Sequence, residues 1–229
     1  RLRCFRWRHG HGLAFPIDAS ARGVESARVR RDSVSVVELI PESCTARLDP
    51  LKIFGREAPL QVDLGCGDGA FLFTLAAQMP EKNFLGIERL AGRVEKACRK
   101  AARIDNMRVL HFETAYAVRS LLPERSVETF HLLFPDPWPK RRHHRRRMVT
   151  TDFLRTIWAA LEENGILRIA TDHLDYFTRI LRLAGESNLF AFMPPNGEND
   201  FPASAFEKKF ASSGARIYRL GLRKVSPVM

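Results

Sequence analysis

Two stretches of the sequence pair carboxylates with backbone chemistry that would hold them still. In residues 62–71, VDLGCGDGAF, Asp63 precedes a turn in which Gly65, Gly67 and Gly69 permit positive φ and the close approach of a ligand. An apolar run before the turn and a helix-length run after it place it between a strand and a helix whose N-terminal amides point into it. Glu88 follows at the end of the next apolar run, where a carboxylate can accept hydrogen bonds from both hydroxyls of a ribose. In residues 134–148, FPDPWPKRRHHRRRM, Asp136 lies between prolines and is followed by six cations within the eight positions 140–147. Pro135, Pro137 and Pro139 fix φ and lack amide donors, so this segment reads as a stiff extended loop that holds Asp136 and Trp138 in place.

The first stretch fits two nucleoside ligands. Gly65-x-Gly67-x-x-Ala70 with Glu88 some way downstream satisfies a permissive dinucleotide fingerprint. S-adenosylmethionine fits better. Asp63, ahead of the first glycine, suits a cationic amino-acid moiety, and a third acid, Glu113, ends the third apolar run, so a pyrophosphate would meet too much negative charge. Asp136 ends the fourth run and so faces the same crevice in a doubly wound sheet, with a turn acceptor as its competing role. Thr171 and Asp172, in ATDHLDYF, end the fifth run and can reach a substrate from the other side or cap the following helix. Trp138 can stack on a base or simply pack. His143 and His144 lack partners at metal-ligand spacing and read as surface residues.

The elements that must position these groups follow from periodicity. From residue 60 onward short apolar runs alternate with amphipathic segments, which predicts an α/β fold: a doubly wound, mostly parallel seven-stranded sheet with helices on both faces. Strands are predicted over 61–64, 83–87, 108–112, 129–134, 166–170, 190–193 and 216–222. Helices are predicted over 70–78, 92–104, 115–122 and 151–162, the last ended by Asn164-Gly165.

With 229 residues, 45% of them hydrophobic, the chain can bury one large core, and it contains no apolar run of the ~20 residues needed to span a bilayer. The formal net charge of +11 is concentrated in residues 1–31 and 140–147, leaving the rest close to neutral, a distribution suited to a polyanion such as nucleic acid. Residues 1–47 read as a basic, partly flexible N-terminal arm and 48–229 as the main domain. Cys4, Cys44, Cys66 and Cys98 are scattered, with no C-x-x-C pair, which suggests neither a disulfide framework nor a zinc site and points to the cytoplasm.

These motifs, in this order, resemble the bacterial tRNA (guanine-N7-)-methyltransferase family from about Leu48 to Leu222. FPDPWPKRRHHRRR is the most specific element and resembles the family pattern F-x-D-P-W-x-K-x-R-H-x-x-R-R. The resemblance makes residues 48–229 an S-adenosylmethionine-dependent methyltransferase domain. It implies a Rossmann-like methyltransferase that transfers a methyl group from S-adenosylmethionine to guanine N7 in the variable loop of tRNA, with no obligatory metal and no membrane. It implies cofactor contacts at Asp63, Gly65, Gly67, Gly69, Glu88, Glu113 and Asp136, with Asp136 also catalytic. It implies tRNA contacts at Lys140, Asp172, Ser204, Glu207 and Lys209, the last three in SAFEKKF, similar to the family's T-x-[FY]-E-x-[KR]. Asp63 stands where the family usually has Glu, Glu113 where it has Asp, and Ser204 where it has Thr; charge or hydroxyl is kept each time. Two rivals remain: an exocyclic-amino RNA or DNA methyltransferase, and an RNA-binding module with a vestigial nucleoside pocket.

Overall fold

A computed structural model describes residues 37–41, 43, 45–194, 207, 212 and 214–226. The elements in chain order are β1 (Glu38–Leu39), α1 (Pro50–Phe54), β2 (Leu60–Leu64), α2 (Ala70–Gln78), β3 (Asn83–Glu88), α3 (Ala91–Ala101), β4 (Met107–His111), α4 (Thr114–Ser120), β5 (Val127–Leu133), a 3-10 helix (Arg141–Arg146), α5 (Thr151–Ala160), β6 (Leu161–Thr171), α6 (Leu174–Ser187), β7 (Phe190–Phe192) and β8 (Tyr218–Lys224). They form one sheet in the order β1-β4-β3-β2-β5-β6-β8-β7. Every pairing is parallel except those of β8, which runs antiparallel to β6 and β7.

The expected α/β class therefore holds, with eight strands among the described residues in place of the predicted seven. The extra strand is β1, which pairs with β4 through Glu38↔Val109 and Leu39↔Leu110. Two residues are too few to show a period-2 pattern, and the strand lies within the stretch read as an arm. A second difference is at α5, which stops at Ala160. Leu161 is already extended and pairs with Val127, after which the register jumps to Thr129↔Ile166. Asn164, at φ 62°, turns the intervening excursion, so Asn164-Gly165 is a turn inside β6 and not a helix end.

Alternation along the strands feeds two cores. On β3, Leu85 and Ile87 join Val118, Leu121, Ile157 and Ile180 from α4, α5 and α6. Phe84, on the opposite face, joins Leu72, Leu75, Ala97 and Ala101 from α2 and α3. Strands buried on both faces read as near-continuous apolar runs, which is why β2 and β3 were legible. Strand order reverses between β2 and β5, each followed by one of the two chemistry-bearing segments. This is the switch point at which ligands bind in doubly wound sheets.

Candidate active site

The turn after β2 is held by its own backbone. Gly65 and Cys66 amides both donate to Ile87 O, at 2.9 and 3.0 Å, fastening the turn to β3. Gly69 caps α2 at φ 74°, and a Cβ there would lie 2.9 Å from Ala97 Cβ, so both conformation and space require glycine. Gly67, at φ 59°, turns its amide to Glu88 Oε2 at 3.1 Å. The same buried carboxylate accepts from Arg89 N at 2.8 Å and Leu90 N at 2.9 Å through Oε1. Three backbone donors fix Glu88 in one rotamer and leave lone-pair capacity for a ligand hydroxyl. Arg93 lies 3.9 Å away as a rim cation.

Asp63 is buried under this turn, and burial, followed by the nearby Glu88 charge, raises its pKa to about 7. A cation arriving beside it would lower that value. The neighbouring Cys66 thiol is pushed up, first by burial and then by Asp63 and Glu88, so it stays protonated and is no nucleophile.

The loop after β5 is held differently. Phe134 and Trp138 adopt left-handed backbone at φ 51° and 43°, costly for bulky residues, and they bracket Asp136. Phe134 N donates to Ala170 O at 2.8 Å, tying one end to β6. Arg147 holds the other end: its Nε donates to Pro137 O at 2.7 Å, its guanidinium reaches Asp175 Oδ2 at 2.6 Å, and it stacks 4.9 Å over Tyr176. Asp136 itself is exposed at the mouth of the crevice. Glu113 caps α4, accepting from Ala115 N at 3.1 Å and Tyr116 N at 2.7 Å, so it is more than a solvated loop acid.

Gly65, Glu88, Glu113, Asp136 and Trp138 line one cavity of about 510 Å³. Asp63 lies beneath it, and the exposed Lys140 and Asp172 lie outside its wall. Asp172 is not the cap of α6: His173 accepts from Tyr176 N at 3.3 Å, and Thr171 Oγ1 accepts from His173 N at 3.2 Å. Glu207 is buried against Arg219, accepting at 2.9 and 2.6 Å. Ser204, Lys209 and residues 1–31 lie outside the described residues.

The sequence from residue 57 to 220 matches a family model described as "Putative methyltransferase". A tRNA (guanine-N(7)-)-methyltransferase from Halorhodospira halophila is 37% identical over 190 residues, 79% of this chain and 80% of that protein. One from Thermotoga maritima is 37% identical over 182 residues, which is 78% of this chain but 58% of that protein's length. The chain belongs to the tRNA (guanine-N7-)-methyltransferase family. Among solved structures, a 16S rRNA (adenine(1408)-N(1))-methyltransferase from Catenulisporales acidiphilia superposes with a TM-score of 0.56 at 17% identity, over 80% of this chain and 94% of that one, a likeness of fold.

In this family member the glycine turn, the pinned Glu88 and the acid beneath it form a cradle of backbone amides and carboxylates at one end of the cavity. Leu90, 41% exposed beside the cavity, and Met148 add apolar wall. Sequence reasoning passed over Leu90, Arg93 and Arg146 as cavity-lining residues. An exposed Leu directly after a strand-end acid was the available signal for the first. His143 and His144, expected on the surface, are both half-buried. Among the described residues no helix is long and apolar enough to cross a membrane, and no cluster of three or more His, Cys, Asp or Glu could hold a metal ion.

Proposed function

We propose that this protein methylates N7 of a guanine in tRNA, using S-adenosylmethionine bound in the cavity between β2 and β5. The observation that carries the reading is the meeting of Gly65, Glu88, Glu113 and Asp136 around one cavity at the switch point, in a chain of this family. Glu88 would hold the ribose hydroxyls, Glu113 the adenine edge, and Asp63 the cationic amino-acid end. When bound, S-adenosylmethionine supplies an electrophilic methyl on its sulfonium.

Guanine N7 carries a lone pair and no proton, so it needs no strong base. Asp136 therefore acts by position and charge: it accepts hydrogen bonds from the guanine N1 or N2 donors and stabilises the positive charge that develops on the purine. Trp138, half-buried on the same loop, offers a face on which the base stacks. Lys140 and the exposed arginines that follow take backbone phosphates, Asp172 contacts the substrate from the β6 side, and Ser204 with Lys209 extends that contact. Glu207 supports this segment through Arg219. Residues 1–31 add further cations for the same polyanion. The catalytic domain takes in β1 together with residues 48–229 and works where tRNA is found, in the cytoplasm.

Incubation with bulk tRNA and labelled S-adenosylmethionine, followed by nucleoside mass analysis, tests the reading. Labelled 7-methylguanosine is expected; label on an exocyclic amine, or none, overturns it.

A further inference from the structure

The 3-10 helix Arg141–Arg146 shows different sides to the protein body. With three residues per turn, positions i and i+3 lie on one side. His143 and Arg146 share a side and both meet Trp138, the His143 ring edge-on at 5.8 Å and the Arg146 guanidinium 4.9 Å above it. His144 and Arg147 share another side and face α6 instead. There, with Asp175, Thr178, Arg179 and Arg182, they enclose a cavity of about 260 Å³, separate from the one that Arg146 lines.

The charges around this second cavity are unequally paired. Asp175 is engaged by Arg147 at 2.6 Å. Arg182 reaches Glu186 at 3.3 Å, an exposed pair on one helix, worth little in solution. Arg179 has no ion pair among the described residues, and its Nε is buried with no hydrogen-bond partner. His144 Nε2 is likewise buried with no partner, in the same cavity wall. Two buried nitrogens without partners, one of them on a cation that has no ion pair among the described residues, thus belong to residues that line a space whose one carboxylate, Asp175, is already engaged by Arg147. Buried polar groups ordinarily find partners, so this space is shaped for an incoming anion.

We propose that this cavity seats a backbone phosphate of the tRNA substrate, with Arg179 Nε and His144 Nε2 donating to its oxygens and Thr178 and Arg182 at its rim. The proposal rests on the tRNA reading above. A nucleic-acid phosphate is favoured over a free anion because the exposed Arg142 and Arg145 project from the same short helix, so the cavity continues a cationic track. Through Arg147, which bonds both Asp175 and Pro137 O, the anchor joins the loop that carries Asp136.

The test uses the full chain and the Arg179→Gln variant. Binding of tRNA, measured over a range of salt, should weaken about fivefold near 0.1 M, and the magnitude of the slope of log K against log salt should shrink by about 0.7 to 0.9. Affinity for S-adenosylmethionine should stay within twofold. Arg179→Lys, which keeps the charge, should restore most of the slope. Wild-type affinity and slope in Arg179→Gln, alongside a wild type that methylates tRNA, would overturn the anchor alone. A wild type that leaves tRNA unmethylated would overturn the reading beneath it. A free-anion site would show as His144 ring resonances that move with millimolar inorganic phosphate and not with tRNA, and that outcome also refutes the proposal.

Discussion

The two segments at the switch point do similar work by opposite means. After β2, glycines give the turn its shape, and the sheet's own backbone holds it: two amides on Ile87 O, and three amides on the Glu88 carboxylate. After β5, bulky residues sit in left-handed backbone, and the loop is held from outside by a side chain, Arg147, which reaches α6. The cofactor half is therefore rigid by local construction, while the substrate loop, tied to β6 at Phe134, depends at its far end on one long-range clamp. A site that must grip a common cofactor yet admit a large nucleic acid gains from that division, because the clamp can respond to the substrate without disturbing the cradle.

The largest effect should come from the loop's reacting group. Asp136→Asn preserves shape and removes charge, so methyl transfer in single-turnover experiments should fall about 100-fold, the scale of losing one preorganised electrostatic contact. Binding of tRNA should change by no more than a few-fold. Turnover within twofold of the parent would reduce Asp136 to a turn residue.

In the other half, Glu88→Ala should weaken S-adenosylmethionine binding by about 1.5 to 3 kcal/mol, the range for a hydrogen bond to a charged group. Thermal stability should drop as well, since the amides of Gly67, Arg89 and Leu90 lose their acceptor. Calorimetry reports both quantities. Unchanged affinity in a folded variant would mean that Glu88 only shapes the turn.

The clamp makes the cation run divisible. Arg147 is 3% exposed, so Arg147→Gln should lower the thermal midpoint and slow turnover, leaving the salt slope of tRNA binding near the parent's. Asp175 is 64% exposed on its side of the pair, so the ion pair itself adds little, and the loss comes mainly from the bond to Pro137 O and the stack on Tyr176. Arg145, exposed on the same helix, should behave in reverse: Arg145→Gln flattens the slope by about 0.7 to 0.9 and spares the midpoint. If both variants moved the same quantity, the division between clamp and contact would fail. Treating the run as a single block of phosphate contacts was a limit of reading charge without register.

That limit follows the physical contrast between the halves. Gly65, Gly67, Gly69 and Glu88 declare themselves in sequence because their constraints are local: a strand, a turn requiring positive φ, a helix, and an acid one strand later. The role of Arg147 depends on Asp175 and Tyr176, which are 28 and 29 positions away and belong to a helix whose packing no short motif encodes. Likewise β1 was illegible because two residues are too few to show a period, and the contact of Glu207, predicted to meet tRNA, with Arg219 joins positions that no short motif links.

The smallest effect, and the sharpest probe of the cradle, is a proton. Burial and the adjacent Glu88 charge raise the Asp63 pKa to about 7, so in the empty protein the carboxyl is about half protonated near neutrality. A raised carboxyl pKa means that the folded state holds its proton more tightly than the unfolded chain does. Its contribution to stability is then most favourable below the unfolded value near 4 and is lost as pH rises through about 7. A cationic ligand reverses the balance by favouring the carboxylate. Binding of S-adenosylmethionine at pH 7 should therefore release about half a proton, and affinity should rise with pH between roughly 6 and 8. Calorimetry in two buffers of different ionisation enthalpy counts that proton. In Asp63→Asn the count should fall to zero and the affinity should become flat across this range, while the empty variant outlasts the parent above pH 7 because it no longer buries a charge. Proton release that survives the substitution would assign the titration to another group and leave Asp63 a purely structural acid beneath the turn.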